Sequence, residues 1–215
     1  VYIGNMTNSE LADVEFPYYD KKAPEGKRYG KYGEIMPQDE FIGLMQICDA
    51  FDLVKLESGF AQDVKAKLEA HGMLKAEQIS ILDKNQETEA DIEKLVNEEH
   101  AEAIYHNFKL VGAVRQAHDV DVNLSAHVML ENIVAKAGSV LAMLHLLRVT
   151  GIAPDAVDYV IDCCEEACGD MNQRGGGNFA KAAAEVVGLT NATGSDVRGF
   201  CAGPAHALLN AASLV

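Results

Sequence analysis

From Phe108 onward, strand-like and helix-like segments alternate, and few folds accept such an order. Residues 109–115 (Lys-Leu-Val-Gly-Ala-Val-Arg) and 120–124 (Val-Asp-Val-Asn-Leu) read as strands, with residues 116–119 as the hairpin turn between them. A long helix follows over roughly 127–149. Met129, Ile133, Val134, Ala137, Val140, Leu141, Leu144 and Leu147 make it apolar over more than half its circumference, which predicts a largely buried helix. Gly151 stands where a C-cap is wanted. Residues 156–162 read as the next strand, and a helix ending near Gly188 follows the Gly175-Gly176-Gly177-Asn178 run, with Asn178 a candidate N-cap. Residues 196–200 read as a short buried strand, and an apolar helix closes the chain. The order β, β, α, β, α, β, α implies a layered α/β domain with parallel connections.

The last of these junctions carries chemistry. The closing helix begins at or beside Cys201, and the first N–H groups of a helix have no intrahelical partner. With the helix dipole they stabilise a nearby anion, a thiolate included, and they can hold the oxyanion of a thioester under attack. Pro204 falls in the first turn, where its missing N–H matters least. Small residues at 202, 203, 205 and 207 let this helix sit close to its surroundings. His206 lies more than a turn from Cys201 and on another side, which favours packing over a role as base.

Other clusters read more quietly. Cys163-Cys164 with Cys168 lacks the paired C-x2-C spacing of a zinc site, and no histidine lies close by, so no metal is expected. These thiols end a strand near the carboxyl edge of the sheet, where α/β sites form, so a secondary role near substrate or oxidation with Cys201 stays open. The Gly175–Gly177 run is neither G-x-G-x-x-G nor a Walker loop. It reads as a loop needing positive φ or close approach. The sharper reading has Arg174, Gly175, Gly176 and Asn178 lining a substrate site. Glu165, Glu166 and Asp170 read as a hydrated loop or as partners of Arg174.

Residues 1–107 look different. Residues 1–35 hold no lasting period and read as a surface arm whose tyrosines pack on its own domain or on another subunit. Pro37 then opens a helix with Phe41, Leu44, Met45, Cys48 and Phe51 on one face, and Cys48 reads as a buried structural thiol. A second helix spans about 58–71 with Phe60, Val64 and Leu68 on one side and Gly72 as its C-cap, and a third begins near Thr88. Two regions are therefore expected: an arm and helical extension over 1–107, and an α/β domain over 108–215.

The formal charge is −15, and through Asn107 there are 22 acidic and 11 basic residues against 11 and 7 afterwards. Such a balance serves solubility and argues against nucleic acid as a partner. No stretch reads as the roughly eighteen or more apolar residues of a membrane span. Five cysteines, an odd number, fit a reducing cytoplasm. The chain starts at Val1, as a processed or excised piece would.

Phe200-Cys201-Ala202-Gly203-Pro204-Ala205-His206-Ala207-Leu208 resembles the nucleophile turn of the thiolase superfamily, above all β-ketoacyl-acyl carrier protein synthase III. Upstream, residues 150–161 resemble the G-x-x-P-x-x-V-D-x-V passage of those enzymes. Residues 1–6, 33–37 and 165–178 resemble the synthase-III-like β subunits of component C in glycine, sarcosine and betaine reductase complexes. The resemblance implies a thiolase-like layered fold of which 108–215 is the first half. A second, pseudo-repeated half, with the histidine and its partner that assist the cysteine, would come from a complementing chain or a longer one. It further implies Cys201 as an acyl-carrying nucleophile whose own N–H joins the oxyanion hole. In that family a carboxymethyl group arrives as a selenoether on selenoprotein component A, becomes an acetyl thioester on component C, and leaves as acetyl phosphate. The implied partners are component A and a phosphate-acyltransferase-like α subunit in a homo- or hetero-oligomer. Phosphate is the co-substrate, and no bound cofactor is expected. Two alternatives remain: a synthase-III-like acyltransferase using acyl carrier protein or coenzyme A, and a non-catalytic docking subunit in which Cys201 only packs. The N-terminal extension favours the complex.

Overall fold

A computed structural model describes residues 2–3, 6–7, 9–10, 28–30, 33–84, 86–121, 124–163 and 178–215. The chain forms two compact units, Val1–Met36 and Pro37–Val215. In the first, β1 (Tyr2–Ile3) pairs antiparallel with β2 (Met6–Thr7), and β3 (Tyr29–Gly30) with β4 (Gly33–Glu34). Arg28 is ion-paired to Glu34 and lies over the Tyr29 ring. Strands two residues long carry no readable period, so a stretch expected to be a plain arm contains two small ladders.

The second unit opens with α1 (Gln38–Cys48), capped by Pro37 rather than beginning at it. The chain then enters β5 (Val54–Glu57) and α2 (Ser58–His71). Leu44, Val64 and Leu68 are fully buried between these helices. Asp39, in the first turn of α1, is ion-paired to Lys67 of α2. Burial alone would raise its carboxyl, but the Lys67 ammonium and the Glu40 N–H outweigh that and hold it below the usual range. Cys48 is buried as expected, and desolvation pushes its thiol up to about 12. Phe51, assigned by periodicity to the same face, lies beyond the helix and is 48% exposed.

Glu57 caps α2, its carboxylate accepting the N–H groups of Gly59 and Phe60 at 2.8 Å each, while Gly72 closes the helix at φ 75°. Those bonds hold the Glu57 carboxyl below its ordinary range. Its contribution is therefore present above the unfolded-state carboxyl value and fades as pH falls through the lower folded value. Glu57→Ala is expected to cost about 1 kcal/mol near neutral pH. Urea melts of both proteins should converge in acid.

A short α3 (Ala76–Ile79) runs on through a 3-10 turn at Ser80–Asp83. Next come β6 (Gln86–Glu87) and α4 (Glu89–Glu98), capped by the Thr88 hydroxyl. Then β7 (Glu102–His106) and β8 (Lys109–Val114) form a hairpin. The four strands order β6-β5-β8-β7, with β6 parallel to β5 and the other pairs antiparallel. Ile92 of α4 packs on Ala101 and Ala113 beneath this sheet. The strand expected after residue 115 is found before it instead: 102–106 pairs with 109–114, and no strand forms at Val120 and Asp121. A division at 107/108 thus runs through a hairpin turn.

That turn is unusual in composition. Asn107 and Phe108 both have positive φ (48° and 64°), the pattern of a two-residue turn that favours Asn-Gly, and Phe108 is fully exposed. Left-handed backbone costs a bulky residue about 1–2 kcal/mol. Glycine returns part of that through unfolded-state entropy. Phe108→Gly should therefore raise stability by about 0.5–1 kcal/mol, visible as a higher urea midpoint at unchanged slope.

The long helix α5 (Ala126–Thr150) ends at Gly151 with φ 68°, as expected. Its burial is less than expected. Met129, Ile133, Ala137 and Val140 are buried, with Asn132 and Lys136 beside them, but Leu146 is 60% and Val149 83% exposed. By length and mean hydropathy α5 could cross a membrane. Its N-terminal stretch instead packs on α1 and on α6 (Phe179–Val187). Between them β9 (Tyr159–Asp162) follows a 3-10 turn at Pro154–Ala156, so that strand is shorter than its sequence pattern. β10 (Thr193–Asp196) pairs parallel with β9, Thr193 opposite Tyr159 and Asp196 opposite Asp162. The closing helix α7 covers Gly203–Leu214. The described chain is thus a mixed α/β protein with seven α-helices and a mixed four-stranded sheet.

Candidate functional site

The site is built where β9 and β10 end. The strand assigned by sequence to 196–200 is displaced: the strand is Thr193–Asp196, and residues 197–199 have no regular structure. The reason is Asp196. Its carboxylate accepts the N–H groups of Phe179 and Ala180, both at 2.9 Å, and so anchors the head of α6 to the end of β10. Asn178 completes that anchor. Its Oδ1 accepts from the Lys181 N–H at 2.7 Å and its Nδ2 donates to the Gly194 carbonyl at 2.6 Å. Asn178 is thus the N-cap that the sequence pointed to, with both amide atoms engaged locally.

Beyond Asp196 the chain turns back onto β9. The Val197 N–H donates to the Asp162 carbonyl at 2.8 Å. Arg198 donates to the Asp162 carboxylate at 3.1 Å and lies 3.7 Å from Asp196, bridging the two strand ends. Neither aspartate nor this arginine stands out in the sequence. The available signal was a carboxylate at each strand end with a single basic residue two positions on.

Phe200–Ala202 form one 3-10 turn, closed by the Ala202 N–H on the Gly199 carbonyl at 3.0 Å, and α7 starts at Gly203. Cys201 therefore stands one residue ahead of the N-cap Ala202 rather than in the helix. Its residue is exposed. The N–H groups of Gly203 and Ala205 lack intrahelical acceptors by position, and Pro204 has none to offer. An exposed sulfur just ahead of a helix start has the access a nucleophilic thiol needs. The helix itself differs from the expected buried one: only Gly203 is buried, and Leu208 and Leu209 are 72% and 70% exposed.

Cys163, the residue after β9, is a half-buried free thiol whose Sγ lies against Gly203. The His206 ring lies beside Gly199, at the start of the turn. Arg174, Gly175 and Gly176, together with Cys164, Glu165, Glu166, Cys168 and Asp170, lie outside the described residues. A separate cleft of about 280 Å³ opens among Ile47, Lys75, Gln78, Ile81, Val186 and Gly188, and neither Cys201 nor Asn178 lines it.

Over its whole length the chain is 56% identical, across 217 aligned residues, to a protein of Peptoclostridium acidaminophilum. That protein is named glycine/sarcosine/betaine reductase complex component C subunit beta. The chain is a homologue of that β subunit. It spans 42% of the relative's length. No family model matches the chain. No solved structure matches it either.

Proposed function

We propose that this component C β-subunit homologue works in a reductase complex of the glycine/sarcosine/betaine type, with Cys201 as the thiol that carries an acetyl group. The observation behind this reading is the exposed Cys201 at a strand-to-helix turn, in a chain 56% identical throughout to such a subunit. The carboxymethyl selenoether of component A would supply the two carbons. Its C–Se bond breaks as a second thiol of the complex is oxidised to a selenenyl sulfide, and the CH2 carbon takes up the proton to become CH3. The Cys201 thiolate forms the thioester C–S bond as one carboxylate oxygen leaves as hydroxide. Phosphate attack on the resulting thioester carbonyl then breaks the C–S bond, returns the thiolate and yields acetyl phosphate. The N–H groups at the head of α7 would hold the carbonyl oxygen as it becomes an oxyanion. The parallel β9–β10 pair leading through the Cys201 turn into α7 supports a thiolase-like arrangement for this region. A phosphate-acyltransferase-like α subunit and component A are the partners, in a cytoplasmic assembly with no bound cofactor on this chain.

The test is acetyl phosphate formation by the assembled complex. Cys201→Ser is expected to lower the turnover by at least about 10³-fold, since an alkoxide replaces a thiolate as nucleophile. Cys48→Ser should leave it unchanged once the protein is folded. Equal activity of Cys201→Ser and the parent would refute the assignment and favour a docking subunit. Coenzyme-A-dependent acetylation of the isolated chain would favour a synthase-like acyltransferase.

A further inference from the structure

Gly203 is the first residue of α7 and its one buried position. A Cβ placed on it would stand 2.7 Å from the Sγ of Cys163. Carbon atoms in good contact stand about 3.5–4.0 Å apart, so a methyl group there is roughly an ångström too close. On the other side of the turn, a Cβ on Gly199 would lie 3.4 Å from both the Gly203 nitrogen and the His206 ring. Gly199 and Gly203, the two ends of the turn around Cys201, thus lie against the His206 imidazole and the Cys163 thiol respectively. The beginning of the turn is tied to β9 through Val197 and Arg198, both bonded to Asp162. Its end rests on Cys163, the residue that follows β9.

We infer that Cys163 is a positioning residue for Cys201: its sulfur occupies the space that glycine at 203 leaves open and seats the head of α7 on the end of β9. This rests on the reading of Cys201 as the reacting thiol. The physical consequence is specific. If the end of the turn is lifted while its start stays tied to Asp162, the Ala202–Gly199 hydrogen bond must open. The orientation of Cys201 relative to the amides of Gly203 and Ala205 then changes. A Cβ at 2.7 Å makes something shift, either the Cys163 side chain about its χ1 or the head of α7, and only the second reaches Cys201.

The test is size complementation read at Cys201. Four full-length proteins are compared: the parent, Gly203→Ala, Cys163→Ala, and the double variant. Each is treated with iodoacetamide, and alkylation of the Cys201 peptide is followed by mass spectrometry across pH 6–10, with thermal melts run in parallel. Gly203→Ala should change the Cys201 rate constant at pH 7 by about fivefold or more and displace the pH profile, as expected for coupled neighbours. Adding Cys163→Ala should bring both back to within about twofold of the parent. Adding Cys163→Ser to Gly203→Ala should recover only part of the way, because the hydroxyl oxygen is smaller and closer to its own Cβ than the sulfur but still faces the added methyl. A Gly203→Ala protein that melts lower but keeps the parent pH profile would overturn the inference, as would failure of the double variant to recover. Alkylation is read without any acyl donor. A Cys201 that shows this complementation yet never carries acetyl in the assembled complex would sink the functional reading and leave the positioning role standing.

Discussion

Phe179→Ala is expected to remove about 3–5 kcal/mol of stability. Phe179 is the largest of the fully buried side chains and opens α6, and the alanines around it at 180, 182, 183 and 184 are all buried too. A helix whose buried face is mostly alanine packs close to its neighbours and has little means to collapse into the space a lost phenyl ring leaves. The lost transfer free energy and the cavity therefore add. Set against a total of roughly 5–15 kcal/mol for a domain of ordinary stability, the loss takes a large share. A urea melt at neutral pH reads it directly. A change below about 1 kcal/mol would mean that α6 does not hold the position described.

Asp196→Ala should cost about 2–4 kcal/mol by a different route. One carboxylate accepts two N–H groups at the head of α6, both at 2.9 Å, and faces the Arg198 guanidinium. Removing it leaves two part-buried donors without their acceptor. Hydrogen bonds to a charged acceptor are worth about 1.5–3 kcal/mol, and a lost cap about 1 kcal/mol. Asp196→Asn keeps the shape but supplies one neutral oxygen, so it should fall between the parent and Asp196→Ala. The same variant loosens Arg198, which joins β9 to β10, and the damage should reach the Cys201 turn. Hydrogen exchange at Val197 and Ala202 measures that: faster exchange in Asp196→Ala is expected, and unchanged protection would argue that the turn stands without the bridge.

How much of this was legible follows from what each element is made of. The helix at 58–71 announces itself through Val64 and Leu68 a turn apart, with Gly72 to end it. Gly151, Gly188 and Asn178 mark helix ends for reasons of backbone conformation and donor satisfaction that act locally, so they survive translation into structure. β10 has no signature in the sequence because its residues, Thr193-Gly194-Ser195-Asp196, include no apolar side chain. Nothing in that run has a period of two in hydrophobicity, and the strand exists because β9 lies beside it. Phe108, just ahead of the valine-rich run, sits at the tip of a turn that no hydrophobic period marks. The C-terminal half of α5 and the length of α7 look like core by composition, yet Leu146 of α5 and Leu208, Leu209 and Leu214 of α7 are exposed. Periodicity tells which residues are apolar and says nothing of what covers them.

The helix start beside Cys201 is legible in the sequence from Gly203, Pro204 and the small residues that follow, because helix starts have a local grammar. In the sequence Cys163 stands out only as one of three clustered thiols. Its contact with Gly203 joins positions forty residues apart, which no local rule reaches. The Asp162–Arg198–Asp196 bridge was hidden for the same reason.

The account turns on one sulfur, and one map decides it. The assembled reductase complex is supplied with the Se-carboxymethylated selenoprotein in the absence of phosphate, quenched in acid, digested and analysed for a hydroxylamine-labile mass increase equal to one acetyl group. The predicted result is that mass on the peptide carrying Cys201, vanishing when phosphate is added. Acetyl found on any other cysteine of the complex, with the Cys201 peptide unmodified, would contradict the account.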